Sequence, residues 1–416
     1  MTSLPSESAG PRDEPADGAP VAAAALSRHH DTRTAATELA ETLYETVNED
    51  CDLLMVFGSF HHRAAFPLAV ETLRQTIHPS TTIGVTAESV LGGDVECEGT
   101  AGISALALRI PGMDVRGWSA GPGVPLRAAD PDALREQTGI DAQSKGVILL
   151  ADPFTTPVKH VLRALSGLAP RSTTIPIVGG LASGASQPGH NLIILDDQAQ
   201  SAGVVGVTLG GPVDISCVVS QGCRPVGTSH VITRAKGNTI HELGGRPATE
   251  VLHEQASELP KHEKMLLSRG LFVGQVINEH KSHFGRGDFL IRAVTGMDNE
   301  TGRLIVGDQV RTGQTIQFHV RDAETADEDF NLLLDMQQLH DEPLAGLLVT
   351  CNGRGTRLFN EESHDTRTIR RRLGDIPIAG FFAAGEIGPI GDQSFLHGHT
   401  ACLVLIRALG TNQRRI

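Results

Sequence analysis

The sequence predicts a mixed α/β protein of two joined domains, with helices covering β-sheets in a helix-sheet-sheet-helix arrangement. Two observations predict this fold class. Short, continuously apolar runs, typical of strands covered on both faces, alternate with segments of helical periodicity. The order strand, helix, strand, glycine-containing loop and strand also occurs three times, as an internal repeat. Because a helix joins the first two strands of each copy, we expect those strands to be parallel.

The chain begins with a segment that is not expected to fold. Residues 1–33 are rich in Pro, Gly, Ala and acidic residues, which predicts a disordered tail. The segment lacks the basic start and apolar core of a signal peptide. Its apolar run at 21–26 is far shorter than a membrane span. A helix is predicted over 34–48, where apolar residues recur every four positions.

Three copies of the repeat follow, and their spacing is nearly constant. The end of the first strand and a glycine in the second strand are 27, 28 and 29 residues apart in successive copies (57 to 84, 151 to 179 and 351 to 380). Three matched spacings favour a true repeat over coincidence. The predicted elements are strands 53–57, 82–86 and 102–108 with helix 63–77; strands 146–151, 175–180 and 203–209 with helix 156–167; and strands 346–351, 376–380 and one from 400 with helix 365–372.

The segment between the second and third copies has a different pattern of apolar residues. Residues 213–233 alternate like antiparallel strands, and 246–267 has the pattern of one amphipathic helix. Two further strands are predicted at 288–294 and 315–320. The natural boundary lies near Gly244-Gly245, which divides the chain into domains at 34–244 and 245–410.

Composition restricts the class of partner and the compartment. The net charge of −14 disfavours nucleic acid and anionic membrane, since both are recognised by clustered basic surfaces. The six cysteines are dispersed and form no C-x-x-C pair. Together with the absence of a signal peptide, this predicts a cytoplasmic protein with free thiols. We predict no nucleic-acid partner and no membrane association.

Several short motifs, most of them in the second half, point to a known family. They are Gln221-Gly222-Cys223-Arg224-Pro225, Arg286-Gly287-Asp288-Phe289-Leu290-Ile291-Arg292, Gln317-Phe318-His319-Val320-Arg321-Asp322-Ala323, Cys351-Asn352-Gly353-Arg354-Gly355, Gly385-Glu386-Ile387-Gly388-Pro389 and Leu396-His397-Gly398. In these segments the chain resembles the FIST family, a two-part sensory module of bacterial signalling proteins that also occurs in some eukaryotic F-box proteins. The resemblance covers roughly residues 50–405, more loosely in the first half.

The resemblance implies small-molecule sensing, with amino acids or related metabolites as ligands. The chain departs from the family at His399, where an aromatic residue usually follows the Leu-His-Gly motif. No kinase, cyclase or methyl-accepting output segment is expected after residue 410, and the first 33 residues are too few and too polar for an F-box. We therefore expect a stand-alone sensor that reports through a signalling partner or through its own surface.

The sharpest group of candidate site residues is Glu386, His397 and His399, near the end of the chain. In an extended strand the two histidines point to the same side. Three interpretations stay open. Glu386 and His397 could form a buried hydrogen-bonded pair that shapes a ligand pocket, all three residues could bind a metal, or they could only hold the loop together.

Asn352 and Arg354 directly follow an apolar strand, where layered α/β folds usually place ligands. A guanidinium there can hold a carboxylate through two parallel hydrogen bonds, which suits an amino acid. The alternative is a turn in which Arg354 pairs with one of the nearby acids, Glu361, Glu362 or Asp365.

Other polar residues are weaker candidates. His319 could point into the same pocket, whereas Arg321 and Asp322 are expected to form structural pairs. Cys351 and Cys402 lack an adjacent base, so we interpret them as buried thiols rather than nucleophiles.

The predicted function is a non-enzymatic sensory protein that binds an amino acid or related metabolite, and no cofactor, catalytic residue or metal ligand is predicted. The expected ligand-binding residues are His319, Asn352, Arg354, Glu386, His397 and His399. Two alternatives stay open. One is a protein-protein interaction scaffold without a ligand, and the other is an enzyme or metal protein that uses Glu386, His397 and His399.

Overall fold

Each copy of the repeat forms one β-sheet covered by helices. The computed structural model describes residues 18–48, 51–122, 130–169, 174–281 and 283–410. The first copy consists of β1 (Val21–Ser27), α1 (Thr32–Val47), β2 (Leu53–Ser59), α2 (Phe66–Ile77), β3 (Thr81–Ala87), the hairpin β4 (Val90–Gly92) and β5 (Val95–Cys97), and β6 (Ile103–Arg109). The second copy repeats this order with β7 (Asp114–Ala120), α3 (Pro131–Thr138), β8 (Gly146–Ala151), α4 (Val158–Ser166), β9 (Ile177–Leu181), the hairpin β10 (Ile193–Leu195) and β11 (Gln198–Gln200), and β12 (Val204–Gly210).

The third copy is interrupted by an insertion after its first strand, β13 (Val213–Gln221). The insertion contains β14 (Cys223–Lys236), β15 (Thr239–Leu243), β16 (Arg246–Pro247), α5 (Ala248–Glu258), α6 (Lys261–Arg269), β17 (Phe272–Val276), β18 (Phe289–Asp298), β19 (Arg303–Val306) and β20 (Thr315–Arg321). The copy then resumes with α7 (Ala323–Gln337), β21 (Ala345–Cys351), α8 (His364–Leu373), β22 (Ile378–Ala383), the hairpin β23 (Glu386–Ile390) and β24 (Gln393–His397), and β25 (Thr400–Ala408).

The expected strand directions are confirmed in all three copies. The two strands joined by a helix are parallel in each copy, β2 with β3, β8 with β9, and β21 with β22. The last strand of each copy, β6, β12 or β25, runs antiparallel to the first strand of that pair. The mixed α/β class and the threefold repeat therefore hold.

The hairpins interlock the copies. Each hairpin adds to the sheet of another copy: β4 pairs with β22, β10 with β3, and β23 with β9. The first copy thus extends the third, the second extends the first, and the third extends the second. Sequence analysis placed these segments in glycine loops, because strands of three to five residues that pair with a distant copy have no local signature.

The core lies where the inner faces of the three sheets meet. It draws apolar residues from every copy, and Phe57 of the first stacks on Phe381 of the third with ring centroids 5.2 Å apart. The outer face of each sheet packs against its own helices in a separate apolar cluster. The helices therefore surround a central body of three sheets.

The insertion forms a closed barrel. Its strands follow the order β14-β20-β17-β18-β19-β15, and β14 also pairs with β15, which closes the ring. Apolar residues such as Val273, Phe318 and Leu304 fill its interior. A smaller apolar cluster that includes Cys223, Phe272 and Phe289 lies on another face. The predicted domain boundary at Gly244-Gly245 falls inside this insertion, between β15 and β16, and stays a prediction.

Two sequence-based expectations need correction. Within the predicted tail, residues 1–17 lie outside the described residues, but β1 pairs along its whole length with β6. Its small alternate residues are buried in the cluster that contains α1, so alanines suffice for an edge strand here. The single helix expected over 246–267 is two helices. Pro260 cannot continue the first helix, and it occupies the N-cap position of the second.

Candidate functional site

A group of buried and half-buried polar side chains collects where the barrel meets the third copy. Five residues form this polar cluster: Arg321 at the end of β20, Cys351 at the end of β21, Arg354 in the following turn, Glu386 at the start of β23, and His399 between β24 and β25. Electrostatic contacts link Arg321 to Cys351, Arg354 and His399, and link Cys351 to Glu386. The cluster lies at the carboxyl ends of β21 and β20, a common ligand position in α/β folds.

Glu386 is fully buried, and its two carboxyl oxygens have different surroundings. One oxygen, Oε2, accepts hydrogen bonds from the Thr400 hydroxyl (2.7 Å) and backbone N–H (3.1 Å), whereas Oε1 has no partner. Burial raises the pKa of Glu386 to about 8, although the Thr400 bonds, the charge on Arg354 and an interaction with the Cys351 thiol act in the opposite direction. At neutral pH the carboxyl group is therefore mainly protonated and can donate a hydrogen bond.

Arg354 does not have the free guanidinium edge that a bidentate contact to a ligand carboxylate would require. It forms two parallel bonds to Asp365, with Nε–Oδ2 and Nη2–Oδ1 both 2.8 Å, so the alternative interpretation of an acidic partner holds, with Asp365 as that acid. Although burial alone would raise the pKa of Asp365, the Arg354 guanidinium holds it well below its usual range. Phe330 and Phe359 flank the guanidinium at 5.8 and 5.2 Å. Only Nη1 lacks a partner.

Arg321 is the residue that sequence analysis missed. Its expected structural pairing is wrong, because neighbouring Asp322 bonds Arg224 instead (2.7 Å), and no ion pair among the described residues includes Arg321. Two of its nitrogens, Nε and Nη2, are buried without a partner, and burial lowers its pKa. A Cβ added at Gly353 would lie 3.1 Å from Nη2, so the glycine lets the guanidinium approach the turn. The only signal in the sequence was an arginine at the end of a predicted strand.

The two terminal histidines point to different environments. His399 has a φ of +63°, so the extended geometry that would align it with His397 is absent. Its ring contacts Phe272 edge-on at 4.5 Å, and its Nδ1 is buried without a partner. His397 lies opposite Glu386 in the β23–β24 ladder, but its Nε2 bonds the Gly388 carbonyl (2.9 Å). The hydrogen bonds of Glu386 and His397 therefore go to different partners, and the expected pair does not form.

His319 belongs to the barrel wall rather than to the polar cluster. Its Nδ1 lies 3.0 Å from the Gln317 carbonyl, and its ring packs edge-on against Phe289 at 4.9 Å. Burial lowers the pKa of His319 to about 4, as it does for His397 and His399. All three imidazoles are neutral at pH 7.

Asn352 lies at a separate opening to which all three copies contribute. This opening has a volume of about 500 Å³ and is lined by residues of every copy, among them Glu88, Ser183 and Asn352. The side-chain Oδ1 of Asn352 is buried without a partner. The structure thus brings Glu386, Arg354 and His399 together with Arg321, and places His319, His397 and Asn352 around them.

The cluster is better suited to binding than to nucleophilic or metal chemistry. Burial raises the pKa of the Cys351 thiol to about 12, so the thiolate is scarce at neutral pH. Among the residues that the structure describes, no group of three or more His, Cys, Asp or Glu side chains is arranged to hold a metal ion. The atoms left without partners are Nε and Nη2 of Arg321, Nη1 of Arg354, Oε1 of Glu386 and Nδ1 of His399. Such orphaned groups are rare in folded proteins.

Comparisons with known proteins agree with this architecture. The FIST N domain matches residues 52–246 and the FIST C domain matches residues 248–389. An uncharacterized protein of Mycobacterium tuberculosis (strain H37Rv) is 37% identical over 391 residues, which cover 91% of this chain and 98% of the relative. An uncharacterized protein of Mycobacterium bovis is 36% identical over 390 residues, covering 90% and 96%.

The two family models together match most of the chain, which therefore belongs to the FIST family. Among solved structures, a cyanuric acid hydrolase from A. caulinodans aligns over 94% of this chain and 100% of its own, with 9% identity and a TM-score of 0.35, too low to inform fold or function. No helix of the described ranges has the length and apolar character needed to cross a membrane.

Proposed function

We propose that the protein is a cytoplasmic sensor that binds a small carboxylate-bearing metabolite, such as an amino acid, in the polar cluster. Membership of a family of sensory modules supports a sensing role. The observation that carries the proposal is Arg321, a half-buried arginine whose Nε and Nη2 are buried without a partner. Buried N–H groups of a cation without an acceptor are costly, and a ligand carboxylate would supply the acceptor and the counter-ion.

The geometry of the cluster supports a carboxylate ligand in particular. Two N–H groups on one edge of a guanidinium match the two oxygens of a carboxylate. Arg354 would contribute its free Nη1 while Asp365 fixes its orientation, so its role is mainly positioning. Glu386 Oε1 and His399 Nδ1 would meet the remaining polar groups of the ligand. Because Glu386 is mainly protonated at neutral pH, it would donate a hydrogen bond to the ligand.

The position of the cluster suggests how binding becomes a signal. Arg321 belongs to the barrel, whereas Glu386 and His399 belong to the third copy. A ligand held by both sides would favour the arrangement in which barrel and repeat are joined. A ligand shifts an equilibrium only through such differential contacts. A signalling partner that contacts both parts could detect the change.

Thermal shift and isothermal titration with a panel of amino acids and other small carboxylates test the proposal. A ligand at a hundredfold excess over its Kd adds about 2.7 kcal/mol to the free energy of unfolding and raises Tm. We expect Arg321→Gln to abolish the shift, and the amide analogue of an active amino acid to be inactive. Arg303→Gln, an exposed barrel arginine on β19, is the matched control and should bind normally.

Two results would contradict the proposal. If no carboxylate raises Tm, the sensor function fails, and stable co-purification of one protein would then support the scaffold alternative. If a ligand binds but Arg321→Gln retains full affinity, the function stands and the site assignment is wrong.

A further inference from the structure

The barrel and the second copy enclose a cleft that the polar cluster does not use. Its volume is about 920 Å³, and its walls come from α4, β18, β24 and the segment 308–309. These segments are far apart in sequence, and β24 reaches the second copy because the hairpin β23–β24 joins its sheet. Small-molecule sites commonly lie in such clefts between structural units and have volumes of about 300–1,000 Å³.

Cations outnumber carboxylates by one in this cleft, and among the described residues the exposed Arg163 is its cation without an acidic partner. Asp308 accepts hydrogen bonds from both Lys159 of α4 and Arg292 of β18, and the side chains of Asp308 and Arg292 are 8% and 10% exposed. One carboxylate is therefore shared by two cations in ion pairs. Arg163, one turn after Lys159 on the same face of α4, takes part in no ion pair among the described residues. The other acid in the lining, Asp392, is exposed on the hairpin turn.

This local charge is opposite to that of the chain. Three cations and two carboxylates line the cleft, whereas the whole protein has a net charge of −14. The lining therefore carries a small local excess of positive charge, which attracts small anions.

Beside the cations lies an apolar wall. Leu162 of α4, Ile175, and Phe395 and Leu396 of β24 line the same cleft. Leu162 and Ile175 belong to the apolar cluster of the second copy, and Leu396 packs against it. Phe395 is half-buried and presents an aromatic surface. A ligand in this cleft would contact cations and apolar surface together.

From these features we infer that the cleft is a second binding site, for an amphipathic anion that carries one carboxylate or phosphate on an aromatic or aliphatic body. The anionic group lies toward Lys159 and Arg163, and the body lies against Phe395 and Leu396. The site does not depend on the proposed function of the polar cluster.

The cleft is joined to the polar cluster through the backbone. Arg292 donates from Nη2 to the Leu396 carbonyl (3.0 Å), and β24 is the ladder partner of the strand that begins at Glu386. Occupation of the cleft would therefore act on the hairpin that carries Glu386.

A fluorescence titration with 8-anilinonaphthalene-1-sulfonate, an aromatic sulfonate, tests the site. We expect saturable binding that weakens with salt. Displacement by octanoate, indole-3-acetate or adenosine monophosphate then distinguishes an aliphatic carboxylate, an aromatic carboxylate and a phosphate as the preferred class. Arg163→Gln should weaken probe binding about fivefold or more, and Arg163→Lys should restore most of it.

Controls separate this site from general charge effects and from the polar cluster. Arg135→Gln removes a cation from the last turn of α3, outside the cleft, and should leave binding unchanged. Arg321→Gln should also leave it unchanged, so the two sites succeed or fail independently. The inference is overturned if the probe does not saturate, if Arg163→Gln binds like the unmodified protein, or if Arg135→Gln weakens binding equally.

Discussion

The Arg354 guanidinium and the Asp365 carboxylate form a bidentate ion pair inside the third copy, and neither side chain is more than 1% exposed. The hairpin of the first copy reaches the same place, because Glu96 of β5 accepts a hydrogen bond from the Thr366 backbone N–H (3.0 Å). The pair therefore lies at a junction between copies. It orients the turn that follows β21 and thereby the polar cluster.

We predict that Arg354→Ala strongly destabilises the protein. The substitution leaves Asp365 buried without its counter-ion, and breaking a buried pair in this way costs about 3–5 kcal/mol. Urea denaturation followed by circular dichroism measures the change as a lower midpoint. Arg357→Ala is the matched control, because its pair with Glu88 is exposed and worth at most about 1 kcal/mol. Equal effects of the two substitutions would contradict the role assigned to burial.

Glu386 should make the protein less stable as pH rises. Its pKa is about 8 in the folded protein against an ordinary value of 4.5, so between these values the folded state binds more protons than the unfolded state. The free energy of unfolding then falls as pH increases from about 4.5 to about 8. Glu386→Gln resembles the neutral carboxyl group and should lose less stability across this window. Because Glu96 has a raised pKa as well, the informative quantity is the difference between the two proteins.

The buried histidines should make the protein less stable as pH falls. The pKa of His397 is about 4 in the folded protein against an ordinary 6.5, because burial disfavours the imidazolium. The unfolded state therefore binds more protons between these values, and stability falls as pH decreases from about 6.5 to about 4. His397→Gln keeps a donor toward the Gly388 carbonyl and should reduce this acid-side loss. The same acid dependence in His397→Gln and the unmodified protein would contradict the assignment.

The strands of the three copies could be predicted because their signal is local. Continuous apolar runs defined β8 at the observed residues, and the parallel pairs followed from the intervening helices. The three hairpins could not be predicted, since each pairs with a different copy and its short strands lie among glycines and polar residues. Pairing between strands of different copies depends on how the copies assemble, and no local sequence pattern predicts that assembly.

The candidate site was predicted in part for the same reason. Glu386 and His399 were found because polar residues in an apolar segment are conspicuous. Arg321 was missed, since its isolation depends on the barrel packing against the third copy and on Asp322 bonding Arg224 instead. Arg354 was placed correctly next to the site, but sequence could not decide between a ligand and Asp365 as its partner.

The glycines that revealed the repeat also mark close contacts between parallel strands. Gly84, Gly179 and Gly380 are ladder partners of Val56, Leu149 and Leu348. A Cβ added to them would lie 3.0, 2.1 and 1.9 Å from the partner's carbonyl oxygen. Equivalent positions therefore differ in how much space they leave.

We predict that Gly179→Ala and Gly380→Ala destabilise the protein by about 3 kcal/mol or more, and Gly84→Ala by only about 1 kcal/mol. At the first two positions the new methyl group meets backbone atoms that cannot rotate away, and Gly179 also has a φ of +131°. Chemical denaturation of the three variants measures the order directly. Since all three substitutions add the same methyl group to the same strand of the repeat, Gly84→Ala serves as the matched control. Equal destabilisation at all three positions would show that the distance to the neighbouring strand does not determine how much each substitution destabilises the protein.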